Sequence, residues 1–123
     1  MSAAADEEEF ASYVVDLMQS MGPVRAKKMF GGYGIFLDGL MFALIADGTL
    51  YLKADKESES EFKSMGLDVF TYKKKGRDTS LSYYMAPEDT LEDPDQMTAW
   101  ANKAYGAALR AASGKRTRGS RSV

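Results

Sequence analysis

The strongest indication of the fold is the stretch MFGGYGIFLDGLMFALIADGTLYLKA, residues 29–54. It contains two Asp-Gly pairs, Asp38-Gly39 and Asp47-Gly48, each placed between apolar residues that favour strands. Asp-Gly is preferred in two-residue hairpin loops because both central positions need a positive φ. The stretch therefore predicts three consecutive strands joined as an antiparallel meander.

The first of these strands carries glycines, each of which costs backbone entropy and offers no side chain to pack. Side chains alternate between the faces of a strand, so Gly32 and Gly34 leave a notch on one face. A crossing helix or a bulge at Gly31-Gly32 would explain the notch structurally. The functional alternative is that another backbone or a ligand approaches there. The structural explanation is favoured because the helices need a close approach somewhere, and Gly32, Gly34 and the intervening Tyr33 are kept as candidate interaction residues.

Helical periodicity surrounds the strands. A first helix is predicted over residues 10–21 and stops at Gly22-Pro23, and a short second helix over residues 55–65. The third helix starts with Asp93 as its N-cap and Pro94 in the first helical position. A second hairpin, with its turn at residues 76–78, lies between the second and third helices.

The predicted order is α-β-β-β-α-β-β-α. Strand runs joined by tight turns and placed between helices indicate an α+β fold, a two-layer sandwich with an antiparallel sheet. We predict one domain over residues 1–112. Residues 113–123, SGKRTRGSRSV, lack apolar residues other than the final valine and are predicted to be a disordered basic tail.

The composition excludes several kinds of chemistry. The chain has no cysteine and no histidine, which excludes cysteine nucleophiles, Ser–His pairs and Cys or His zinc sites. Asp38, Asp47 and Asp78 lie near strands but are explained as turn formers. We therefore predict that the protein is not an enzyme, with no catalytic residue, no cofactor and no metal site.

The N-terminus and the apolar runs bear on location. The first ten residues, MSAAADEEEF, are acidic rather than basic, which is not typical of a secretory signal. No apolar run approaches the roughly 20 residues that a membrane span needs. We predict a cytoplasmic protein that does not contact a membrane.

Basic residues cluster at two places, the second hairpin and the tail. Phosphate contacts from such clusters would give weak, salt-sensitive and non-specific binding of nucleic acid. Alternatively, the lysines of the hairpin protect a solvated strand edge against aggregation. The candidate interaction residues of these clusters are Lys73, Lys74, Lys75 and Arg77 in the hairpin, and Lys115, Arg116, Arg118 and Arg121 in the tail.

Three stretches in succession carry a resemblance: KKMFGGYGIFLDGLMFALIADGTLYLKAD, then FTYKKKGR, then LSYYMAPEDTLEDPDQMTAWANKA. In order and spacing they resemble the N-terminal domain of the TfoX/Sxy family of bacterial regulators of natural competence. The resemblance extends from about residue 25 to residue 109. It implies a fold like that of secretion-chaperone-type domains, and a regulatory role together with the cyclic-AMP receptor protein at competence promoters. Full-length members carry a second, helical C-terminal domain, where this chain has a short basic tail.

Three functions follow as hypotheses. The first is a regulatory protein that acts through protein–protein interaction, with the transcription machinery, such as the cyclic-AMP receptor protein, as the partner that the resemblance implies. Tyr33, Tyr72, Tyr83 and Tyr84 could anchor such an interface or pack half-buried in the fold. The second is a weak, non-specific nucleic-acid-binding protein, and the third, least favoured, is an enzyme. Exposed strand edges also allow a homodimer.

Overall fold

A computed structural model describes the backbone of residues 3–29 and 31–120, and the side chains of residues 6–29 and 31–114. The α-helices are α1 (Ala3–Leu17), α2 (Glu59–Ser64) and α3 (Pro94–Ser120), with 3-10 helices at Gln19–Met21 and Glu88–Leu91. The strands are β1 (Arg25–Met29), β2 (Gly32–Leu37), β3 (Leu40–Ala46), β4 (Thr49–Lys53), β5 (Val69–Lys74) and β6 (Arg77–Met85).

The strands form one antiparallel six-stranded sheet in the order β1-β2-β3-β4-β6-β5. The predicted mixed α+β fold with an antiparallel sheet is therefore confirmed, whereas the likeness to secretion chaperones stays a prediction. The predicted order lacked β1. Its sequence, RAKKM, shows no apolar alternation because all its side chains except the half-buried Met29 are exposed at the edge of the sheet.

The hairpin turns follow local sequence. Asp38 and Gly39 have φ angles of 51° and 79°, and Asp47 and Gly48 have 50° and 72°, so both predicted Asp-Gly loops are confirmed. The turn between β5 and β6 lies at Lys75 and Gly76, with φ angles of 53° and 80°, one residue before the predicted position. The glycine occupies the second central position of the loop, where a positive φ is required.

The glycines of the opening stretch have different causes. Gly31 has a φ of 75° in the loop that joins β1 to β2. A Cβ on Gly32 would lie 2.0 Å from the carbonyl oxygen of Ile45, whereas a Cβ on Gly34 would meet the sulfur of Met29 at 2.6 Å. The notch thus accommodates the backbone of β3 at Gly32 and flexible side-chain ends at Gly34. The neighbouring atom at Gly32 belongs to a strand of the same chain, not to a crossing helix.

The sheet does have an irregularity, but not at the glycines. The register between β2 and β3 shifts between Ile35 and Phe36, so the bulge considered at Gly31-Gly32 is wrong in position. The shift leaves Phe42 without a pairing partner, and its ring lies 5.7 Å from that of Tyr105 in α3. The bulge therefore aims a large side chain at the helices.

The helices pack on one face of the sheet. Ile35, Ala43, Leu52 and Tyr84 form a row across β2, β3, β4 and β6, and all four are buried in the core. The helices contribute fully buried side chains to the same core, among them Val14 of α1, Phe62 of α2 and Met97 of α3, and Met18, directly after α1, is fully buried there as well. We call this the covered face.

The observed start of α3 agrees with the sequence prediction, whereas that of α2 does not. Asp93 accepts a hydrogen bond from the amide of Asp95 at 2.9 Å, so the predicted N-cap of α3 is confirmed. The second helix is shorter than residues 55–65, because Asp55 caps a separate turn by accepting hydrogen bonds from the amides of Glu57 and Ser58 at 3.1 and 3.2 Å.

The end of α3 differs from the prediction. Disorder was expected from residue 113, whereas the backbone is helical to Ser120. The alanines that precede residue 113 favour continuation of a helix. The side chains of Lys115, Arg116, Arg118 and Arg121 lie outside the described residues, and the domain division at residue 112 stays a prediction.

Candidate functional site

The face of the sheet opposite the helices is a candidate functional surface. Gly34, Leu44, Tyr51 and Met85 form a row across the same four strands, one residue out of phase with the row on the covered face. We call this side the open face. Its side chains are mainly apolar, although the described helices pack on the other side of the sheet. The contacts and exposure of these side chains therefore bear on the function of the open face.

A cavity of about 340 Å³ lies on the open face. Residues of β1, β2 and β3 form one side, and residues of the β5–β6 hairpin form the other. The hairpin reaches beyond the central sheet, because β4 pairs with β6 only from Tyr83 to Met85. The lining consists of Met29, Tyr33, Leu44, Ile45, Phe70, Tyr72 and Leu81, and it contains no charged residue.

Aromatic contacts shape the hairpin side of this open-face cavity. The rings of Tyr51 and Phe70 lie 5.0 Å apart at an angle of 64°, and those of Phe70 and Tyr72 lie 6.0 Å apart at 17°. Burial, together with the nearby carboxylates of Asp47 and Asp68, raises the pKa of Tyr51. The Tyr51 hydroxyl is therefore neutral at physiological pH.

Tyr83 is also on the open face but is only 7% exposed. Its hydroxyl donates to the carbonyl oxygen of Met41 at 3.4 Å, and the ammonium of Lys53 lies 5.1 Å from its ring centre. Burial raises the pKa of Tyr83 to about 12. Tyr84 points to the covered face and stacks on Phe62. Both tyrosines are packing residues in this structure, whereas Tyr33 and Tyr72 line the open-face cavity.

The basic residues of the hairpin lie together at its tip. Lys73, Lys74, Lys75 and Arg77 are all exposed, and the Lys75–Gly76 turn brings them into one cluster. The ammonium of Lys73 is 3.5 Å from the carboxylate of Asp78, which partly neutralises it. The predicted interaction residues of the tail fall outside the described side chains, so their position relative to this cluster is not part of the structure.

A second basic group escaped the sequence prediction. Arg25, Lys27 and Lys28 are exposed along the edge strand β1. The run RAKK next to the glycine-rich stretch was the available signal, but it is uninformative until β1 is recognised as a strand at the edge of the sheet.

Acidic residues form one notable cluster with Arg110. The guanidinium of Arg110 contacts Asp55 at 2.6 Å and Glu57 at 2.9 Å. The hydrogen bond from Arg110 lowers the pKa of Asp55 from 3.8 to about 2. This arrangement joins α3 to the turn before α2, and the carboxylates of Asp55 and Glu57 both pair with the guanidinium of Arg110. In the described part of the chain, acidic residues nowhere form a group of three that could hold a metal ion.

Among the helices in residues 3–29 and 31–120, none is both long enough and apolar enough to cross a bilayer.

Comparison with known proteins finds similarity over most of the chain. A family model described as the TfoX N-terminal domain matches residues 16–108, which include every strand. Protein Sxy of Escherichia coli is 29% identical over 103 residues, covering 84% of this chain and 49% of that protein. DNA transformation protein TfoX1 of Aliivibrio fischeri is 32% identical over 82 residues, covering 67% of this chain and 37% of that protein. The chain thus spans about half or less of the length of these curated relatives.

Proposed function

Because this chain belongs to the TfoX N-terminal domain family, we propose that it is a regulatory protein that acts by binding a protein partner. One relative is named as a DNA transformation protein, and neither relative's name describes an enzyme, which points away from catalysis. Both relatives are much longer than this chain, so a role in competence or transcription is carried over here as part of the proposal.

The observation that carries the proposal is the apolar open-face cavity. Its lining combines aromatic and aliphatic side chains without a charge, on the side of the sheet away from the described helices. Interfaces between proteins are depleted of charge at their centre and enriched in tyrosine, phenylalanine and methionine. An exposed apolar patch of this kind marks an interaction site, and no charged residue lines it that could act as a catalytic acid or base.

For the partner we propose a component of the transcription machinery such as the cyclic-AMP receptor protein, which the family resemblance implies. A protein with such a partner works in the cytoplasm, and that location belongs to the same proposal.

The test is a titration of the purified full chain against the purified receptor protein on promoter DNA, and separately against RNA polymerase. Tyr72→Ser removes an aromatic ring from the cavity wall and should raise the Kd about tenfold or more, because truncated aromatic anchors cost binding free energy. Met65→Ser is the matched control, since Met65 is a large apolar residue that is 54% exposed and does not line the cavity. Absence of binding to both partners, or equal Kd values for the two variants, would overturn the proposal.

A second candidate function is weak binding of nucleic acid, favoured by the exposed basic cluster at the hairpin tip. Contacts between the four basic residues of the tail and about four phosphates of duplex DNA predict a log–log salt slope near −3.6. Lys74→Gln should reduce the slope by about 1 if the hairpin binds phosphate, and Lys56→Gln, an exposed lysine of the turn before α2, is the control.

Deletion of residues 115–123 separates the tail from the hairpin. We expect the tail to supply most of the affinity, so the deletion should abolish the slope while the fold and the binding of a protein partner remain. Sequence-specific binding that survives the deletion would contradict a tail-driven, non-specific mode.

A further inference from the structure

We propose that β1 is a docking edge for an extended acidic segment of a partner protein, which adds to the sheet as a further strand. The inference rests on the proposed function, because it specifies how a protein partner would be bound. It depends on the backbone of β1, on the cavities beside it and on its charge.

The backbone of β1 is available on one side. In the sheet, β1 pairs only with β2, and no described residue outside the strands bonds to the backbone of Arg25–Met29. Alternate residues of an edge strand turn their N–H and C=O groups away from the sheet. Those groups can pair with an added strand, and such main-chain hydrogen bonds supply affinity in strand addition.

Cavities flank β1 on both faces of the sheet. On the open-face side, a cavity of about 520 Å³ is lined by Arg25, Lys27 and Phe36, among others. On the covered-face side, a cavity of about 320 Å³ lies between the strand and α1; its lining includes Ala26, which also borders the first cavity, and Tyr33, which also lines the open-face cavity. Side chains of an added strand point alternately to the two faces. Each set would therefore meet a cavity, which is the arrangement that gives side-chain specificity in strand addition.

The charges next to the two cavities differ, and this difference specifies the partner. Arg25 and Lys27 alternate on the open-face side, and within the described chain neither forms an ion pair with a carboxylate. Asp38 lines the same cavity but accepts a hydrogen bond from Tyr105 at 3.4 Å. Opposite charges on neighbouring strands attract, so the added strand should carry Asp or Glu at alternate positions.

The cavity on the other side disfavours acids. Its lining includes the carboxylates of Glu8 and Asp16 together with Ala11 and Val15, whereas Lys28, on the same side of β1, is exposed outside that lining. The residues between the acids of the added strand should therefore be neutral and apolar. This pattern, an acid at every second position with apolar residues between, distinguishes a docking edge from an edge that is merely protected by lysines, because protection requires charge but no cavity.

A single-stranded nucleic acid could also contact Arg25 and Lys27, but it would use phosphates and would leave the backbone groups of β1 unpaired. The observations favour a peptide because they place cavities on both sides of unpaired backbone. Nucleic-acid binding becomes an outcome of the test.

The experiment uses the full chain and a fluorescent seven-residue peptide in which glutamate and valine alternate. Its controls are a peptide of the same composition with the glutamates grouped together, and two versions of the alternating peptide that are N-methylated at every second residue, one in each phase. We expect the alternating peptide to bind about tenfold or more tightly than the grouped one. One methylated phase should lose binding and the other should keep it, because only one set of amides faces β1.

The protein variants test the charge. The double variant Arg25→Glu with Lys27→Glu should weaken peptide binding about tenfold or more, whereas Lys56→Glu should leave it unchanged. If the double variant unfolds, the two methylated peptides still decide the matter with the unaltered chain. Equal binding of both methylated phases, or of the alternating and grouped peptides, would overturn strand addition.

Two further outcomes separate the failures. A single-stranded oligonucleotide that binds more tightly than the peptide, with the same dependence on Arg25 and Lys27, would replace the peptide edge with a nucleic-acid surface. If the peptide fails to bind while the receptor-protein complex forms and survives the double variant, the docking edge is wrong and the proposed function stands. If neither binds, both are wrong.

Discussion

The covered and open faces of the sheet use the same strands for different purposes. On the covered face, Ile35 and Leu52 are fully buried against helices, and the apolar row continues into one core. On the open face, Leu44 is only 4% exposed, yet it lies outside that core and lines a cavity instead. The difference shows that low exposure has two sources here: helices on one side, and the sheet with its own long hairpin on the other. Only the first is expected to dominate stability.

The largest expected effect is on the covered face. Phe62 is fully buried, and its ring lies 5.4 Å from Tyr84 and 5.2 Å from Trp100. Phe62→Ala should lower the free energy of unfolding by about 3–5 kcal/mol, because it removes buried contacts and leaves a cavity. Urea unfolding followed by Trp100 fluorescence and by circular dichroism measures this change. A loss of less than about 1 kcal/mol would break the comparison, because the covered face would then not be the main source of stability.

The two glycines of β2 allow a test of how closely the backbone of β3 packs against β2. Gly32→Ala should cost about 2–3 kcal/mol, because its Cβ would lie 2.0 Å from the carbonyl oxygen of Ile45 and β3 would have to shift. Gly34→Ala is the matched control and should cost about 1 kcal/mol or less, because the atoms it meets are ends of methionine and phenylalanine side chains. Denaturation midpoints of the two variants test this. Equal midpoints would mean that both positions tolerate a side chain alike.

The ion pair between Asp55 and Arg110 predicts a pH effect. The folded pKa of Asp55 is about 2, lowered from 3.8 chiefly by the hydrogen bond from Arg110. A lowered carboxyl pKa stabilises the fold above the unfolded pKa, and this contribution is lost as pH falls from about 4 to about 2. Discounted for solvent screening, it should be about 1 kcal/mol.

Arg110→Ala is the measurement for this prediction. The variant should be less stable than the unaltered chain at neutral pH, and the difference between them should shrink as pH falls from about 4 to about 2. The prediction fails if thermal unfolding shows the same difference at both ends of that range.

The smallest stability effect is expected on the open face. Tyr72 is half-buried and stacks on Phe70 at the cavity wall. Tyr72→Ser should lower the free energy of unfolding by about 1 kcal/mol or less, the size of one aromatic pair at a partly exposed site. Chemical denaturation checks this. A loss comparable to that of Phe62→Ala would show that the open face is a second core, and it would remove the ground for treating Tyr72 as a binding residue.

Features that depend on local sterics and capping follow from the amino-acid sequence alone. The Asp-Gly loops form where expected because few residues adopt positive φ cheaply, and α3 begins after Asp93 because a carboxylate there satisfies a free amide. The missing cysteine and histidine exclude their chemistry in any fold.

Trp100 shows that helical periodicity does not predict how deeply a side chain is buried. It lies at helical spacing from the buried Met97 and does pack against the core, but its ring is half-buried with the ammonium of Lys103 4.6 Å from its centre. Periodicity gives the side of a helix that faces the sheet, but it does not give how far the neighbouring elements extend over that side.

Three features depend on the folded sheet: RAKKM is a strand, Gly32 makes room for the carbonyl of Ile45, and the β5–β6 hairpin forms a wall of the open-face cavity. Each of these depends on pairing between segments that are separated along the chain. The edge strand β1 has no apolar alternation by which the sequence could reveal it. Gly32 needs to lack a side chain because of the carbonyl oxygen of Ile45, thirteen residues further along the chain. The candidate surfaces follow from such pairing, which is why sequence reasoning found their residues only in part.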